Sequence, residues 1–197
     1  MSGPASTLAL VPGTKAMKII SHRGLLTGPD SKIENTWDAI FYAAAKDYSV
    51  EFDVWYDKEK EGFFLGHDGP HGEQMTLKEV LEFDQHTNVE FFVHCKSLET
   101  LSWMQFVRPF SPLLHKGIHV FYHDIDDCVA IENYTWVHPK AVKNSAGIDT
   151  VNITRMIYVL PNFGANHDDL LELRSFRGCA GICTDYPVRL ENMEAKL

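Results

Sequence analysis

Hydrophobic and polar positions along this chain change their period again and again. From Met17 onward, short runs rich in Val, Ile, Phe and Tyr alternate with stretches whose apolar residues recur every three or four positions. That alternation is the signature of βαβ units around a parallel sheet. Strands are predicted at Lys18–His22, 49–55, 89–96, 119–124, 134–138, 156–160 and 181–185, with a hairpin-like excursion through 57–62 that returns in 63–65 and ends at His67. An eighth strand has no clear place within 141–154. The first predicted helix carries the stripe Trp37, Ile40, Phe41 and Ala44, which would pack on the sheet. Thr76 and Glu79 have capping-box spacing and open a second, with Leu77, Val80 and Leu81 facing inward. Leu98, Leu101 and Met104 mark a third, and Leu170, Leu171 and Leu173 a fourth that begins near Asp168.

Nearly every predicted strand is apolar at its start and polar at its carboxyl end: Ser21-His22-Arg23, Glu51-Phe52-Asp53, His94-Cys95-Lys96, His123-Asp124, His138 and Thr184-Asp185. Ligands bind at the carboxyl ends of strands in parallel α/β folds, so the chemistry is expected there. Strand side chains alternate between faces. Val50, Phe52 and Val54 therefore belong against helices, while Glu51 and Asp53 share the opposite face; the same parity puts His94 and Lys96 beside them. Two desolvated carboxylates side by side repel and need a cation, either a hard divalent metal or Arg and Lys partners; a plain salt-bridge network is the structural alternative.

Composition narrows the partners. An apolar share of 45 %, an aromatic share of 12 % and a charged share of 23 % describe a chain that buries a core. Asp and Glu outnumber Lys and Arg by 27 to 18, giving a formal charge of −9, and no basic block interrupts that balance. This argues against sequence-independent binding to nucleic acid or to anionic membranes, which requires a positive footprint. An acidic protein acting on an anion must concentrate positive charge locally. No apolar run approaches the ~20 residues of a membrane span. The four cysteines lack zinc-finger or CxxC spacing and read as free buried thiols in a reducing, cytoplasmic compartment. Residues 1–16 read as a loose tail or leader and 17–197 as one domain.

The ordered set Ser21-His22-Arg23-Gly24, Glu34-Asn35-Thr36, Glu51-Phe52-Asp53-Val54, His67-Asp68 and Thr184-Asp185-Tyr186-Pro187 resembles the glycerophosphodiester phosphodiesterase signature, from about Lys18 to Leu190. The resemblance implies an α/β fold, a small, trimmed (β/α)8 barrel of TIM type with its active site at the carboxyl ends of the strands. It implies hydrolysis of a small phosphodiester to an alcohol and a phosphomonoester. His22 and His67 would serve as general acid and base, Arg23 and Lys96 would contact the phosphate, and Glu51 and Asp53 would hold one divalent ion, Mg²⁺ or Ca²⁺ first. Glu34 is a further candidate ligand or a partner for a histidine. Many relatives carry a third metal-binding acid where this chain has His94; ligation by His94 would favour Mn²⁺ or Zn²⁺. The chain leaves little room after His67 for the inserted segment that often shapes the substrate pocket in that family, which implies a more open mouth and a larger or different diester. A sphingomyelinase D or phospholipase D-like lipid phosphodiesterase and a catalytically silent binding barrel are the rival readings. A further possibility is an apolar oligomer interface built from Trp103, Phe106 and Phe110; the oligomeric state is not encoded in the pattern.

Overall fold

The computed structural model describes residues 17–76, 79, 82–83, 85–86, 88–107, 117–123, 128–138, 150–166 and 169–195. The expected tail 1–16, the inward residues Leu77, Val80 and Leu81, the side chains of Phe106 and Phe110, and residues 141–149 lie outside the description. Among the described residues one sheet holds β1 (Lys18–His22), β2 (Ser49–Asp57), β3 (Gly62–Leu65), β4 (Gln74–Met75), β5 (Phe91–Cys95), β6 (Ile118–Phe121), β7 (Cys128–Ile131), β8 (Tyr134–Val137), β9 (Met156–Val159) and β10 (Gly181–Thr184). Helices with described bounds are α1 (Trp37–Ala44), α2 (Leu98–Val107), α3 (Asp169–Leu173) and α4 (Pro187–Glu194), and Glu79, Glu82 and Phe83 are also helical. No described helix is long and apolar enough to cross a membrane.

The strands predicted from periodicity are the ones that run parallel, in the order β6-β5-β2-β1-β10-β9-β8. The first and last strands of the chain are therefore neighbours, Lys18 opposite Gly181 and Ser21 opposite Thr184. Alternating side chains divide the core in three. Val50, Phe52, Val54, Phe91 and Val93 pack outward against Trp37, Ile40 and Ala44 of α1. Val137, Tyr158 and Ile182 pack outward against Leu173, Leu190 and Met193. On the other face Ile20, Phe92, Phe121, Trp136, Ile157 and Cys183 form a single cluster. These six come from strands spread along the whole parallel ladder, so the sheet bends round its own inner face.

The eight-stranded expectation is not met by the described ladder. Its ends are not joined by backbone pairing: β6 pairs with β5, and β7 pairs antiparallel with β8. The connection 122–127 is far shorter than the dozen or so residues a parallel crossover needs, and the two-residue loop Glu132-Asn133, with Glu132 at φ 48°, turns β7 straight into β8. The described part of the interval searched for an eighth strand, Thr150–Arg155, is a 3₁₀ turn. Smaller corrections follow from the same geometry. Leu98 heads α2 but is 64 % exposed, whereas Met104 packs on the core. Trp103 is partly exposed and stacks on Tyr56 at 4.7 Å. Cys95, Cys179 and Cys183 are buried free thiols as expected, but Cys128 is exposed on β7.

Candidate active site

Two turns at the carboxyl end of the sheet set the frame. Arg23 and Asn35 both adopt left-handed backbone, at φ 55° and 54°, and the Asn35 N–H donates to the Arg23 carbonyl at 3.0 Å. Between them Gly24, at φ 80°, lets the turn lie directly on α1: a Cβ there would sit 2.9 Å from the Ala39 carbonyl carbon and the Ile40 nitrogen. Thr36 caps α1 by accepting the Ala39 N–H at 3.3 Å, and the Glu73 carboxylate accepts the Trp37 N–H at 2.6 Å. The chain following β1 and the segment leading into β4 are thus bolted to one helix end.

Glu51 and Asp53 project from the inner face of β2 and are 3 % and 1 % exposed. Asp53 is closely supported. The Asn35 amide donates to its Oδ2 at 3.1 Å and accepts its backbone N–H at 2.8 Å. His94 Nδ1 lies 3.0 Å and Lys96 Nζ 3.4 Å from Oδ1, with Arg23 Nε 3.2 Å from Oδ2. Burial alone would raise its pKa, but the His94 hydrogen bond, Lys96 and Arg23 outweigh burial and hold Asp53 well below the usual carboxylate range. Burial and then the charge of Asp53 push the pKa of Glu51 up to about 7, against the weaker opposing pull of the His22 and Arg23 charges and of the Arg23 backbone N–H at 3.2 Å. Burial takes His94 down to about 4 despite its Asp53 partner. A neutral imidazole and two carboxylates are a metal-binding donor set, and the ligating atoms of Glu51, Asp53 and His94 all lie within 4.8 Å of one another. These residues fit one divalent ion.

The two histidines sit in different surroundings. His22 Nδ1 is 2.6 Å from Asp185 Oδ1, which turns Nε2 toward Glu51 Oε2, 3.9 Å away. Burial opposes its protonation, yet the Asp185 hydrogen bond and the Glu51 charge prevail and raise its pKa. His67 is carried by the loop after β3. Gly66, at φ 144°, has no room for a side chain, since a Cβ would come 2.4 Å from the Gly69 oxygen, and its N–H donates to the Asp53 carbonyl at 3.1 Å. That bond ties the loop to β2. The His67 side chain remains 40 % exposed, with Nδ1 2.5 Å from Asp68 Oδ1.

All the predicted site residues except Glu34 line one cavity of about 290 Å³. Glu34 stands outside the donor cluster and accepts from Arg23 Nη1 at 3.2 Å, so it orients the arginine. The roles of Asp185 and Asn35 were missed in the sequence, although both stand inside the motifs quoted above; a positioning contact leaves no periodic trace. His123 and His138 were visible as strand-end polar residues without a role, and they line the same cavity. A larger cavity, about 830 Å³, lies outside the sheet beside α1 and α4, bordered by Leu26, Ile33, Tyr42 and Tyr186. Asp30, Lys46, Tyr48 and Glu191 also line it, but no histidine does, and the described group of clustered metal donors, Glu51, Asp53 and His94, lies in the smaller one.

Solved structures that share this fold include two glycerophosphodiester phosphodiesterases. One is a glycerophosphodiester phosphodiesterase from Parabacteroides distasonis ATCC 8503, with a TM-score of 0.54 and 14 % identity over 93 % of this chain and 99 % of that one. The other, from Galdieria sulphuraria, bears the same name provisionally; its TM-score is 0.56, with 13 % identity over 93 % of this chain and 99 % of that one. At such identities the likeness is one of fold. No family model matches the chain, and no curated protein matches it.

Proposed function

We propose that this chain is a phosphoric diester hydrolase, carried on a trimmed (β/α) barrel, that cleaves a small glycerophosphodiester to an alcohol and a phosphomonoester. The observation that carries the reading is the convergence of His22, His67, Glu51, Asp53 and His94 with Arg23 and Lys96 in one cavity. A divalent ion held by Glu51, Asp53 and His94 would supply Lewis-acid stabilisation of charge on the phosphoryl oxygens. Lys96 and Arg23 add fixed positive charge on the same side, where it offsets the charge that develops in the transition state. His22, held by Asp185 with Nε2 toward the cavity, moves one proton, and His67 moves the other across the phosphorus, one histidine deprotonating the nucleophile while its counterpart protonates the leaving alkoxide. The proposal is tested by adding Mg²⁺, Ca²⁺, Mn²⁺ or Zn²⁺ to EDTA-treated protein and following alcohol release from glycerophosphodiesters. Metal-restored turnover is expected; no turnover with any ion and any diester would overturn it.

Asp185 is a positioning residue in this scheme. Asp185→Asn is expected to lower kcat about tenfold to a hundredfold with little change in KM. The direction of its pH effect is fixed: the Asp185 hydrogen bond helps raise the His22 pKa, so removing the carboxylate lowers it. If His22 is the base, which must be neutral to act, the acidic limb of kcat/KM moves to lower pH; if it is the acid, the alkaline limb moves. A profile that does not move would show that Asp185 does not tune His22.

A further inference from the structure

The described polar contacts of the two buried carboxylates sort by oxygen. One oxygen of each faces the connection from β1 to α1: Glu51 Oε2 accepts the Arg23 backbone N–H at 3.2 Å, and Asp53 Oδ2 accepts from the Asn35 amide at 3.1 Å, with Arg23 Nε 3.2 Å away. The other oxygen of each stands beside a single nitrogen of His94. Nδ1 lies 3.0 Å from Asp53 Oδ1 and 3.8 Å from Glu51 Oε1. Three single atoms, two oxygens and one nitrogen, therefore converge. Lys96 Nζ also approaches Asp53 Oδ1, at 3.4 Å, and an ionised oxygen has a lone pair to spare. The other buried histidine flanked by two acids lacks this geometry: His119 Nδ1 is 3.1 Å from Glu132 Oε2, but it is Nε2 that lies 3.8 Å from Glu90 Oε2. The two nitrogens of one ring point apart, so those acids share no ion through it.

Asn35 fixes this division at Asp53. Its amide nitrogen donates to Oδ2 while its side-chain oxygen accepts the Asp53 backbone N–H at 2.8 Å, so the side chain is tied at both ends. Its own backbone, left-handed at φ 54°, is anchored to the Arg23 carbonyl at 3.0 Å. Chelation of an ion through both oxygens of Asp53 would turn Oδ2 away from that amide, which is buried and has no water to replace the bond. The restriction sorts ions by their needs. Ca²⁺ takes about six to eight oxygens and often holds a carboxylate by both of its own. Mg²⁺ shares the preference for oxygen, whereas imidazole nitrogen suits softer ions, and an open zinc site uses three protein ligands.

We infer that Glu51, Asp53 and His94 form a three-donor site selective for a borderline divalent ion, Zn²⁺ before Mn²⁺, against Ca²⁺ and Mg²⁺, and that Asn35 is the positioning residue that keeps Asp53 to one oxygen. This reverses the order of ions that the family resemblance implies. It rests on the proposed function only in assigning the ion to these three residues, and turnover plays no part in it.

The full chain, stripped with EDTA and then freed of chelator, is titrated calorimetrically with each of the four ions. Zn²⁺ and Mn²⁺ are expected to bind at least about tenfold more tightly than Ca²⁺ and Mg²⁺. Zn²⁺ outranks Mn²⁺ at most sites that contain nitrogen, so the preference over Ca²⁺ and its loss in two variants carry the decision. His94→Glu, which keeps a donor but exchanges nitrogen for oxygen, should cut the preference for Zn²⁺ over Ca²⁺ at least about tenfold. Asn35→Gly accepts the left-handed backbone and removes the amide. Releasing Oδ2 should narrow the same preference about threefold to tenfold, close to the range by which outer partners tune a metal site. Near-UV circular dichroism establishes which variants fold, and those that do are compared with the parent. Ca²⁺ or Mg²⁺ binding as tightly as Zn²⁺ to the parent, or a preference unchanged in the folded variants, overturns the inference. A Zn²⁺-selective protein that cleaves no diester would sink the hydrolase reading and leave the inference standing; diester cleavage by a protein that binds Ca²⁺ most tightly would do the reverse.

Discussion

Replacing His22 with alanine is expected to lower kcat about 10²- to 10⁴-fold, the range that one general acid or base contributes to proton transfer. His22 is the better positioned of the two histidines proposed as acid and base: it is fixed through Nδ1 by Asp185 at 2.6 Å, and its side chain is 12 % exposed. Alanine also strips Asp185 of its partner in a site where it is 6 % exposed. A cost of about 1–3 kcal/mol in stability should accompany the loss of activity. His22→Gln, which fills the space and can still hydrogen-bond but cannot shuttle a proton near neutral pH, separates the two effects. It should restore most of the stability and none of the rate. Steady-state kinetics and urea unfolding on both variants check this, and a glutamine variant as active as the parent would remove His22 from the mechanism.

Asp53→Ala should produce the largest change in stability. Asp53 is 1 % exposed and is the meeting point of Asn35, His94, Arg23 and Lys96, two of which carry fixed positive charge. Taking out the carboxylate leaves Arg23 and Lys96 facing a desolvated gap and Asn35 without one of its bonds. Breaking a buried, hydrogen-bonded charge pair by removing one partner typically costs about 3–5 kcal/mol. That cost should be read by urea unfolding in EDTA, so that loss of a bound ion does not contribute. Metal affinity should fall in the same variant because one of three clustered donors is gone. A destabilisation below about 1 kcal/mol would mean that the cations around Asp53 are solvated well enough not to need it.

Several features of this molecule were open to reading without coordinates, each because a simple period encodes it. Glu51 and Asp53 alternate with Val50, Phe52 and Val54, and that parity alone assigns two carboxylates to the face away from the helices; His94 and Lys96 follow the same rule on the next parallel strand, where Asp53 pairs with His94. The stripe on α1 is equally plain, with Trp37, Ile40 and Ala44 buried. Other features have no such trace. The hairpin of β7 and β8 replaces a crossover unit, yet β7 is a four-residue run whose burial alternates only weakly, and its place depends on a short connection. The amphipathic pattern of α4 is too sparse to signal a helix, for Pro187, Leu190 and Met193 are its buried residues.

What the sequence by itself determined is therefore the set of parallel strands, the helix stripe of α1 and the side of the sheet on which the acids, His94 and Lys96 stand, because burial selects local periodicity and periodicity is written residue by residue. What only the tertiary structure decided is partnership across long separations: Asp185 on His22, Asn35 on Asp53, Glu34 turned to Arg23 instead of the carboxylate pair, and His123 stacked on His94. Those contacts join residues up to 163 positions apart and are set by the order and curvature of the strands. A side chain's own neighbours in sequence carry no record of which strand will be brought beside it.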